Sequence, residues 1–229
     1  MTLPRGEGLR GGANKIGAHE GLFSGDISEI PGHYGTLLID PPWRFVNKGA
    51  LASPEYRTMP LGEIRLLPIN DLALPDAHLY LWTPNALMPD ALGIMAAWGF
   101  AYKTNLVWRK TRKDGGLDGS GLGNYFRNAT ELILFGVKGR KPITLGARHA
   151  NAIEARRREH SRKPDECYEI IEKYSPSPYL ELFARVPRLG WVQWGDEIKT
   201  YRGNLPEEGD KQSLLFPETT NFYQVEGGV

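Results

Sequence analysis

Short apolar segments alternate with helical patterns along most of this chain, and that alternation limits the folds open to it. Six segments have the apolar character and the Gly, Pro or polar boundaries of buried strands: 34–39, 78–83, 105–108, 131–137, 179–184 and 191–194. Helical patterns occupy 61–67, 86–98 and 164–174. The alternation predicts an α/β fold with one mostly parallel sheet and helices on both faces.

The length of 229 residues suits a single domain of this class. We expect a loose N-terminal arm over 1–33, one domain over 34–203 and a polar C-terminal tail over 204–229. No apolar run reaches the roughly 18 residues that a membrane-spanning helix needs. The start of the chain lacks the apolar core of a secretory signal, and a single Cys167 cannot form an internal disulfide. These features predict a cytoplasmic protein without a membrane partner.

Charge is distributed unevenly along the chain, although the net charge is only +1. Residues 101–165 contain 15 Lys and Arg against 6 Asp and Glu, and the remainder contains 13 against 21. Aromatic residues are interleaved with the basic ones, among them Tyr102, Trp108, Tyr125 and Phe126. A basic patch with stacking groups suits a phosphate backbone and unstacked bases. A solvated face balanced by acidic neighbours explains the charge equally well.

The tetrapeptide Asp40-Pro41-Pro42-Trp43 follows the first predicted strand directly. Each proline restricts the residue before it to extended geometry, and the pair removes two backbone donors. The loop is therefore stiff, and it presents the Asp40 carboxylate and the Pro41 carbonyl as neighbouring acceptors. Ligands of open α/β sheets bind beyond the carboxyl ends of the strands, which is where this loop lies. The alternative is that the tetrapeptide has only a structural role, as an acidic N-cap, a turn and a core tryptophan.

Two neighbouring acceptors suit a planar amine that carries two hydrogens. The exocyclic amine of adenine is a weak nucleophile, because its lone pair is delocalised into the ring. Acceptance of both hydrogens, by Asp40 and the Pro41 carbonyl, favours a pyramidal nitrogen that can attack a methyl sulfonium in line. Trp43 offers a face on which the base can stack. The same chemistry suits other planar amines, such as cytosine or a glutamine amide, so these residues leave the acceptor open.

Seven segments of the chain, taken together and in order, resemble the MT-A70 family. They are LLIDPPW at 37–43, YRTM at 56–59, LYLW at 79–82, WGFAYKTNLVWRK at 98–110, GLGNYFRNATELILFGVKG at 121–139, EHSRKPDE at 159–166 and SPYLELFARVPRLGWVQWGDE at 177–197. The likeness is strongest to stand-alone bacterial and phage members. It implies adenine methylation that depends on S-adenosylmethionine, and a Rossmann-like methyltransferase fold. It also implies a permuted motif order. The catalytic tetrapeptide, Asp40, Pro41, Pro42 and Trp43, then precedes the strand that contacts the cofactor, which the resemblance places at 180–185.

The resemblance also implies which residues bind S-adenosylmethionine. Lys163, in a Lys-Pro-Asp-Glu sequence that opens a helix, would pair with the methionine carboxylate. Carboxylates after the last strand would accept from ribose hydroxyls, although Asp196 stands where the family often has Asn. The expected set is Asp26, Ile27, Asp40, Lys163, Phe183, Arg185, Arg188, Asp196 and Glu197.

A second set is expected to bind nucleic acid, with the target base flipped or single-stranded. The segment 110–128 occupies the place of the family's substrate loop, and its glycines would permit closure. The expected set is Tyr56, Arg109, Lys110, Arg112, Lys113, Asn124, Tyr125, Arg127 and Asn128. We expect no metal, because methyl transfer from a sulfonium needs none and His149 and His160 are isolated in the sequence.

Three functions compete on these grounds. The first is methylation of the 6-amino group of adenine, with DNA favoured over RNA by analogy with small prokaryotic members. The second is a non-catalytic nucleic-acid-binding partner, since degenerate subunits occur in the family; both the tetrapeptide and the cofactor motifs are intact here. The third is methylation of a different amine, which only the family resemblance disfavours.

Overall fold

The computed structural model describes residues 22–23, 25–45, 58–121, 123, 125–140, 149–158 and 162–200. The strands are β1 (Leu22–Phe23), β2 (Tyr34–Ile39), β3 (Ala73–Thr83), β4 (Ala101–Thr111), β5 (Thr130–Lys138), β6 (Ala152–Arg156), β7 (Tyr179–Leu182) and β8 (Trp191–Trp194). The α-helices are α1 (Leu61–Arg65), α2 (Ile69–Leu72), α3 (Met88–Ala97) and α4 (Asp165–Tyr174). Short 3-10 turns cover Ile27–Glu29, Asn85–Leu87 and Glu197–Thr200.

The described strands form one sheet in the order β1-β8-β7-β2-β3-β5-β4-β6. Strand β5 pairs antiparallel with both β3 and β4, and every other pairing is parallel. All the other strands therefore run in one direction, and their carboxyl ends meet at one edge of the sheet. The prediction of an α/β fold with a mostly parallel sheet is confirmed; the permuted motif order stays a prediction.

Apolar side chains cover both faces of the sheet, as predicted. In β2 the alternation divides Leu37 and Ile39 from Leu38, which faces the opposite core. The first core receives buried residues from α1, α2 and α3, and the second receives Ile170 and Ile171 of α4. A strand buried on both faces lacks an alternation of polar and apolar side chains, and all six residues of β2 are buried, the polar Thr36 included.

Strand pairing adds structure that the local patterns did not predict. Strand β6 was missed because only Ile153 and Ala155 are buried in it, and it is ordered by parallel pairing with β4. Strand β4 begins at Ala101, ahead of the predicted 105–108, because exposed residues there pair with β5. The short helix α2 was also not predicted.

The predicted domain bounds remain a prediction. Strand β1, in the segment expected to be an arm, pairs with β8 at one side of the sheet. The expected tail, 204–229, lies outside the described residues. In the part of the chain that the structure describes, no helix has the length and apolar character needed to cross a membrane.

Candidate active site

The site lies at the topological switch point of the sheet, where the strands that follow β2 in the chain lie on both sides of it. From β2 the chain continues to β3 on one side, and the late strand β7 pairs on the other side. A crevice beyond the carboxyl ends of two such strands is the usual ligand site of an open α/β sheet. A cavity of about 340 Å³ lies at this point, and Asp40, Lys163 and Phe183 are among the residues that line it.

The loop after β2 is held in place at each of its four residues. The Asp40 N–H donates to the carbonyl of Leu182 at 3.4 Å, which ties the loop to the end of β7. The Trp43 N–H donates to the Pro41 carbonyl at 2.8 Å, and the Met59 N–H donates to the Pro42 carbonyl at 2.7 Å. The Pro41 carbonyl therefore keeps one lone pair for another donor.

The Trp43 side chain anchors this loop to β3. Its ring belongs to the core and is only 5% exposed, and its Nε1–H donates to the Trp82 carbonyl at 3.0 Å. Little ring surface is left for a base to contact in this arrangement. The stacking role expected for Trp43 stays a prediction, and the contacts described here give the residue a positioning role.

Four charged side chains of alternating sign extend from Asp40, and we call Asp40, Lys163, Glu131 and Lys110 the charge row. Lys163 Nζ lies 3.3 Å from Asp40 Oδ2 and 2.8 Å from Glu131 Oε2. The other Glu131 oxygen, Oε1, lies 2.6 Å from Lys110 Nζ. All four side chains are largely shielded from water, with exposed fractions of 11% to 27%.

Two tryptophan rings support the cations of the charge row. Lys163 Nζ lies 4.4 Å from the centre of the Trp82 ring, and Lys110 Nζ lies 5.1 Å from that of Trp108. The rings contact each other edge to face, with centres 6.1 Å apart. Both rings are 2% exposed, so the core fixes where the two ammonium groups can sit.

Burial and ion pairing act differently on the two carboxylates of the charge row. Burial raises the pKa of Asp40 above its usual value, and the Lys163 ammonium opposes that rise. Burial alone would also raise the pKa of Glu131, but Lys163 and Lys110 together lower it to about 2. Burial alone would lower the pKa of Lys163, yet its two carboxylate neighbours raise it. Asp40 is thus the more readily protonated of the two carboxyl groups.

The far wall of the cavity comes from β7, α4 and the segment after β7. Glu181 accepts from the Tyr168 hydroxyl at 2.7 Å and from Gln193 Nε2 at 2.6 Å. Burial raises the pKa of Glu181 to about 7, against the lowering effect of these two hydrogen bonds. The Arg188 guanidinium lies 3.9 Å from the centre of the Tyr168 ring and 3.4 Å from Asp165 Oδ1.

The residues directly after β7 close the cavity with a strained turn. Phe183 has a φ of 64°, a left-handed conformation that a non-glycine residue rarely adopts. Its ring packs edge to face on Trp194, with centres 5.3 Å apart. Arg185 Nη1 lies 3.4 Å from Glu197 Oε1, which brings two expected cofactor residues together. Backbone strain of this kind concentrates at functional sites.

The remaining cofactor residues predicted from the sequence lie at the same edge of the sheet. Asp26 follows β1 and caps the 3-10 turn that contains Ile27, with Oδ1 accepting from the Ser28 N–H at 2.9 Å. Asp196 is exposed and follows β8. Because β1 and β8 are parallel neighbours, both residues lie beyond the carboxyl ends of adjacent strands.

The residues expected to bind nucleic acid separate into exposed and buried groups. Exposed or partly exposed positions on or near the β4–β5 connection are Arg109, Arg112, Lys113, Tyr125, Arg127 and Asn128. Arg109 pairs with Glu154 at 3.2 Å, and Arg112 pairs with Asp114 at 3.1 Å. Tyr56 and Asn124 lie outside the described residues.

Lys110 belongs to the same expected nucleic-acid set, but it differs from the other basic residues of that set because it is buried. It is only 9% exposed, and its ammonium is paired with Glu131. A buried, ion-paired ammonium is poorly placed for a phosphate backbone, and the phosphate contact expected of Lys110 stays a prediction. Strand β4 points Lys110 into the sheet edge, between the Trp108 ring and β5.

A family model described as MT-A70 matches residues 34–197, which include the tetrapeptide and Lys163. The chain belongs to the MT-A70 family. Its relatives are methyltransferases by name, which supports methyltransferase activity for this chain.

Three relatives illustrate the range of this MT-A70 similarity. Type II methyltransferase M.MunI of Mycoplasma sp is 30% identical over 200 residues, which cover 77% of this chain and 83% of that protein. The probable N(6)-adenosine-methyltransferase MT-A70-like of Oryza sativa subsp. japonica is 30% identical over 188 residues, which cover 79% of this chain and 25% of that protein. The human N(6)-adenosine-methyltransferase catalytic subunit METTL3 is 30% identical over 177 residues, which cover 76% of this chain and 29% of that protein. This chain thus spans most of the first relative and under a third of the other two.

Glu131 is one residue of this MT-A70 site that the sequence does not indicate; Tyr168 and Glu181, which line the cavity, are two others. Functional residues of a parallel sheet are expected directly after its strands, whereas Glu131 lies at the start of β5. Because β5 runs against its neighbours, its amino end lies at the same edge as their carboxyl ends. In the sequence, the one indication is a single Glu directly before an apolar run. Only the direction of β5 shows that this Glu lies at the active edge of the sheet.

Proposed function

We propose that this MT-A70 protein transfers a methyl group from S-adenosylmethionine to the exocyclic 6-amino group of adenine in nucleic acid, with DNA as the favoured substrate. The observation that carries the proposal is the position of Asp40. Its carboxylate lies at the cavity beside β2 and β7, held by a stiff loop and by Lys163 at 3.3 Å.

The residues around the cavity fit S-adenosylmethionine by the chemistry of their charged groups. Lys163 is a cation for the methionine carboxylate, and Asp40 is an anion close to where a methionine ammonium and a sulfonium would lie. Arg185 and Glu197, paired at the mouth, offer a donor and an acceptor for the ribose hydroxyls. When bound, S-adenosylmethionine supplies a methyl group on a positively charged sulfur, the electrophile of the reaction.

Asp40 and Pro41 act on the acceptor amine. The Asp40 carboxylate accepts one amine hydrogen and the free lone pair of the Pro41 carbonyl accepts the other, so the nitrogen lone pair localises. As the new N–C bond forms, the C–S bond breaks and its electrons remain on sulfur. The methylated nitrogen then releases a proton, and the Asp40 carboxylate, whose pKa burial raises, is placed to take it.

The β4–β5 connection supplies a surface for nucleic acid. Tyr125 and Phe126 are adjacent and 94% and 87% exposed, and Lys113 and Arg127 are exposed nearby in the sequence. Exposed aromatic rings beside cations suit unstacked bases and their phosphates. The amine of a paired base cannot reach Asp40 within a duplex, so the target base is flipped or single-stranded.

Support for adenine and for DNA comes from different relatives. The names of the plant and human relatives specify N(6)-adenosine, which supports the acceptor atom. The chain covers 83% of the Type II methyltransferase of Mycoplasma, and its likeness to small stand-alone members favours DNA.

The test is methylation by the purified full chain with S-adenosylmethionine and separate pools of single-stranded DNA, duplex DNA and RNA. Nucleoside mass spectrometry reads the product. We expect 6-methyladenine in DNA with the wild type, and a loss of at least ~100-fold with Asp40→Asn, as is typical when a catalytic group is removed. Asp71→Asn, at an exposed position of α2, is the matched control and should retain activity.

Calorimetry with S-adenosylmethionine completes the test. Asp40→Asn should still bind S-adenosylmethionine, although at least ~10-fold more weakly because a charge beside the methionine ammonium is lost, so activity measured at saturating cofactor separates loss of chemistry from loss of binding. Methylation of RNA alone would overturn the DNA preference, and a methylated cytosine would overturn the acceptor. Cofactor binding without any methylation would support a partner subunit instead of an enzyme.

A further inference from the structure

The ion pairs of the charge row differ in their N–O distances. Lys163 lies closer to Glu131 (2.8 Å) than to Asp40 (3.3 Å). Glu131 divides its two oxygens between two ammonium groups, Oε1 for Lys110 and Oε2 for Lys163. Lys110 therefore competes with Lys163 for the same carboxylate, and it limits how strongly Glu131 can draw Lys163 away from Asp40.

The competition is effective because the row is shielded from water. The Lys110 side chain is 11% exposed and the Lys163 side chain 16%. Charges in such surroundings interact more strongly than on the surface, and salt screens them less. The four charges sum to zero, so removal of the Lys110 or Glu131 charge leaves the remainder of the row, which includes Asp40, with a net charge.

We infer that Glu131 and Lys110 are positioning residues, which set the charge state of Asp40 through the placement of Lys163. The inference rests on the proposed function in one respect, since Asp40 is there the group that meets the acceptor amine. Neither residue lines the cavity, whereas Asp40 and Lys163 both do. Lys110 therefore acts through Glu131 and Lys163, and Glu131 acts through Lys163 in addition to its own repulsion of the Asp40 carboxylate.

Other charged groups also surround Asp40 and remain the same in the test. Outside the charge row, Arg185, after β7, lowers the pKa of Asp40. Glu181 of β7 and Asp40 influence each other as like charges. None of these is altered when Lys110 is substituted, so a change at Asp40 reports the charge row.

The inference predicts opposite effects for two substitutions. With Lys110→Met, Glu131 is left with one cation and draws Lys163 from Asp40, so Asp40 titrates at higher pH. With Glu131→Gln, the repelling carboxylate disappears and Lys163 turns to Asp40, so Asp40 titrates at lower pH. The expected shifts are ~0.5 pH unit upward and ~1 pH unit downward, on the scale of close charges in proteins.

The experiment titrates the carboxyl carbon signal of Asp40 by NMR in the full chain without ligands, with Asp40→Asn identifying the signal. Lys110→Arg retains the cation and should restore the wild-type midpoint. Lys103→Met makes the same change as Lys110→Met at an exposed position of β4, and it should leave the midpoint unchanged. The acid limb of the pH–kcat profile, measured on single-stranded DNA, should shift in the same directions as the midpoint.

The outcomes separate this inference from the proposed function. Equal Asp40 midpoints in Lys110→Met, Lys103→Met and wild type would overturn the inference, as would an upward shift with Glu131→Gln. If Lys110→Met does not fold, Lys110→Gln removes the same charge with a polar side chain and decides between these results. Shifted midpoints in a protein that methylates nothing would overturn the proposed function and leave the charge row established.

Discussion

Glu181 is a carboxyl group inside the sheet, with both oxygens occupied by donors. The residue is 8% exposed, and Tyr168 and Gln193 donate to it from α4 and β8. Burial raises its pKa to about 7 from an ordinary value of 4.5. A carboxyl whose pKa is raised on folding stabilises the fold only while it stays protonated.

The stability of the protein should therefore depend on Glu181 between about pH 4.5 and 7. The unfolded chain loses this proton first as the pH rises, so the wild type loses stability across that range. Glu181→Gln cannot ionise, and its amide can donate to the Tyr168 oxygen while its carbonyl accepts from Gln193. From pH 5 to pH 8 we expect its free energy of unfolding to gain on the order of 1–3 kcal/mol relative to wild type.

Urea denaturation at the two pH values measures this gain, and Glu169→Gln, at an exposed position of α4, controls for the amide substitution. A difference between Glu181→Gln and wild type that is the same at pH 5 and pH 8 would contradict an unusual titration of Glu181.

At the scale of single elements, the β4–β5 connection combines glycines with exposed charge. It leaves the sheet at Thr111 and returns at Thr130, at the edge where Asp40 lies. Within it Lys113 and Arg127 are exposed, whereas Lys110, in β4 just before it, is buried in the charge row. Binding of nucleic acid should therefore depend on the exposed cations of the connection and not on Lys110.

The double substitution Lys113→Gln and Arg127→Gln should weaken binding to all DNA sequences alike. Each lost phosphate contact makes the log–log salt dependence shallower by ~0.7 on single strands and ~0.9 on duplex. Fluorescence anisotropy with a labelled oligodeoxynucleotide over a range of NaCl concentrations measures the slope.

The matched control for this connection is Lys103→Gln with Lys173→Gln. These residues lie at the amino end of β4 and the carboxyl end of α4, away from the active edge. If both double variants change the slope equally, the connection is an ordinary solvated surface.

On the scale of the whole molecule, one seam joins the early and late parts of the chain. Strand β2 pairs with β7, and the N–H groups of Gly35 and Thr36 both donate to the Pro178 carbonyl. Thr36 Oγ1 also donates to the Pro176 carbonyl at 2.7 Å. The cavity lies beyond the carboxyl end of this seam, so the distance between Asp40 and the β7 residues depends on it.

Gly35 allows the close approach of backbone at the seam. A Cβ at this position would lie 2.7 Å from the Ser177 carbonyl oxygen and 2.8 Å from that of Pro176, and both are backbone atoms. Gly35→Ala should therefore lower the free energy of unfolding by ~1–3 kcal/mol, the usual effect of overpacking.

Urea denaturation measures this loss, and Gly93→Ala is the control. A Cβ at Gly93, in the interior of α3, meets nothing within 4 Å. There the same substitution should raise stability by ~0.5–1 kcal/mol, because alanine loses less backbone entropy in a helix. If Gly35→Ala were as stable as wild type, the seam would be looser than its contacts indicate.

The sequence by itself determined the features that depend on neighbours along the chain. Strand β2, the stiff Asp40 loop, and helices α3 and α4 all follow from apolar periodicity, prolines and helix boundaries. The fold class followed from their alternation. The place of Asp40 at the sheet edge was also predictable, because a residue directly after a buried parallel strand lies at that edge.

Only the tertiary structure decided the direction and order of the strands, and with them the charge row. An apolar run has the same pattern in either direction, so nothing local indicates that β5 is antiparallel and carries Glu131 to the active edge. Lys110 likewise has the sequence context of an exposed basic segment, and it is buried because Glu131 and Trp108 meet it there. A buried charge is stable only beside a partner, and partners distant in sequence come together only through the fold.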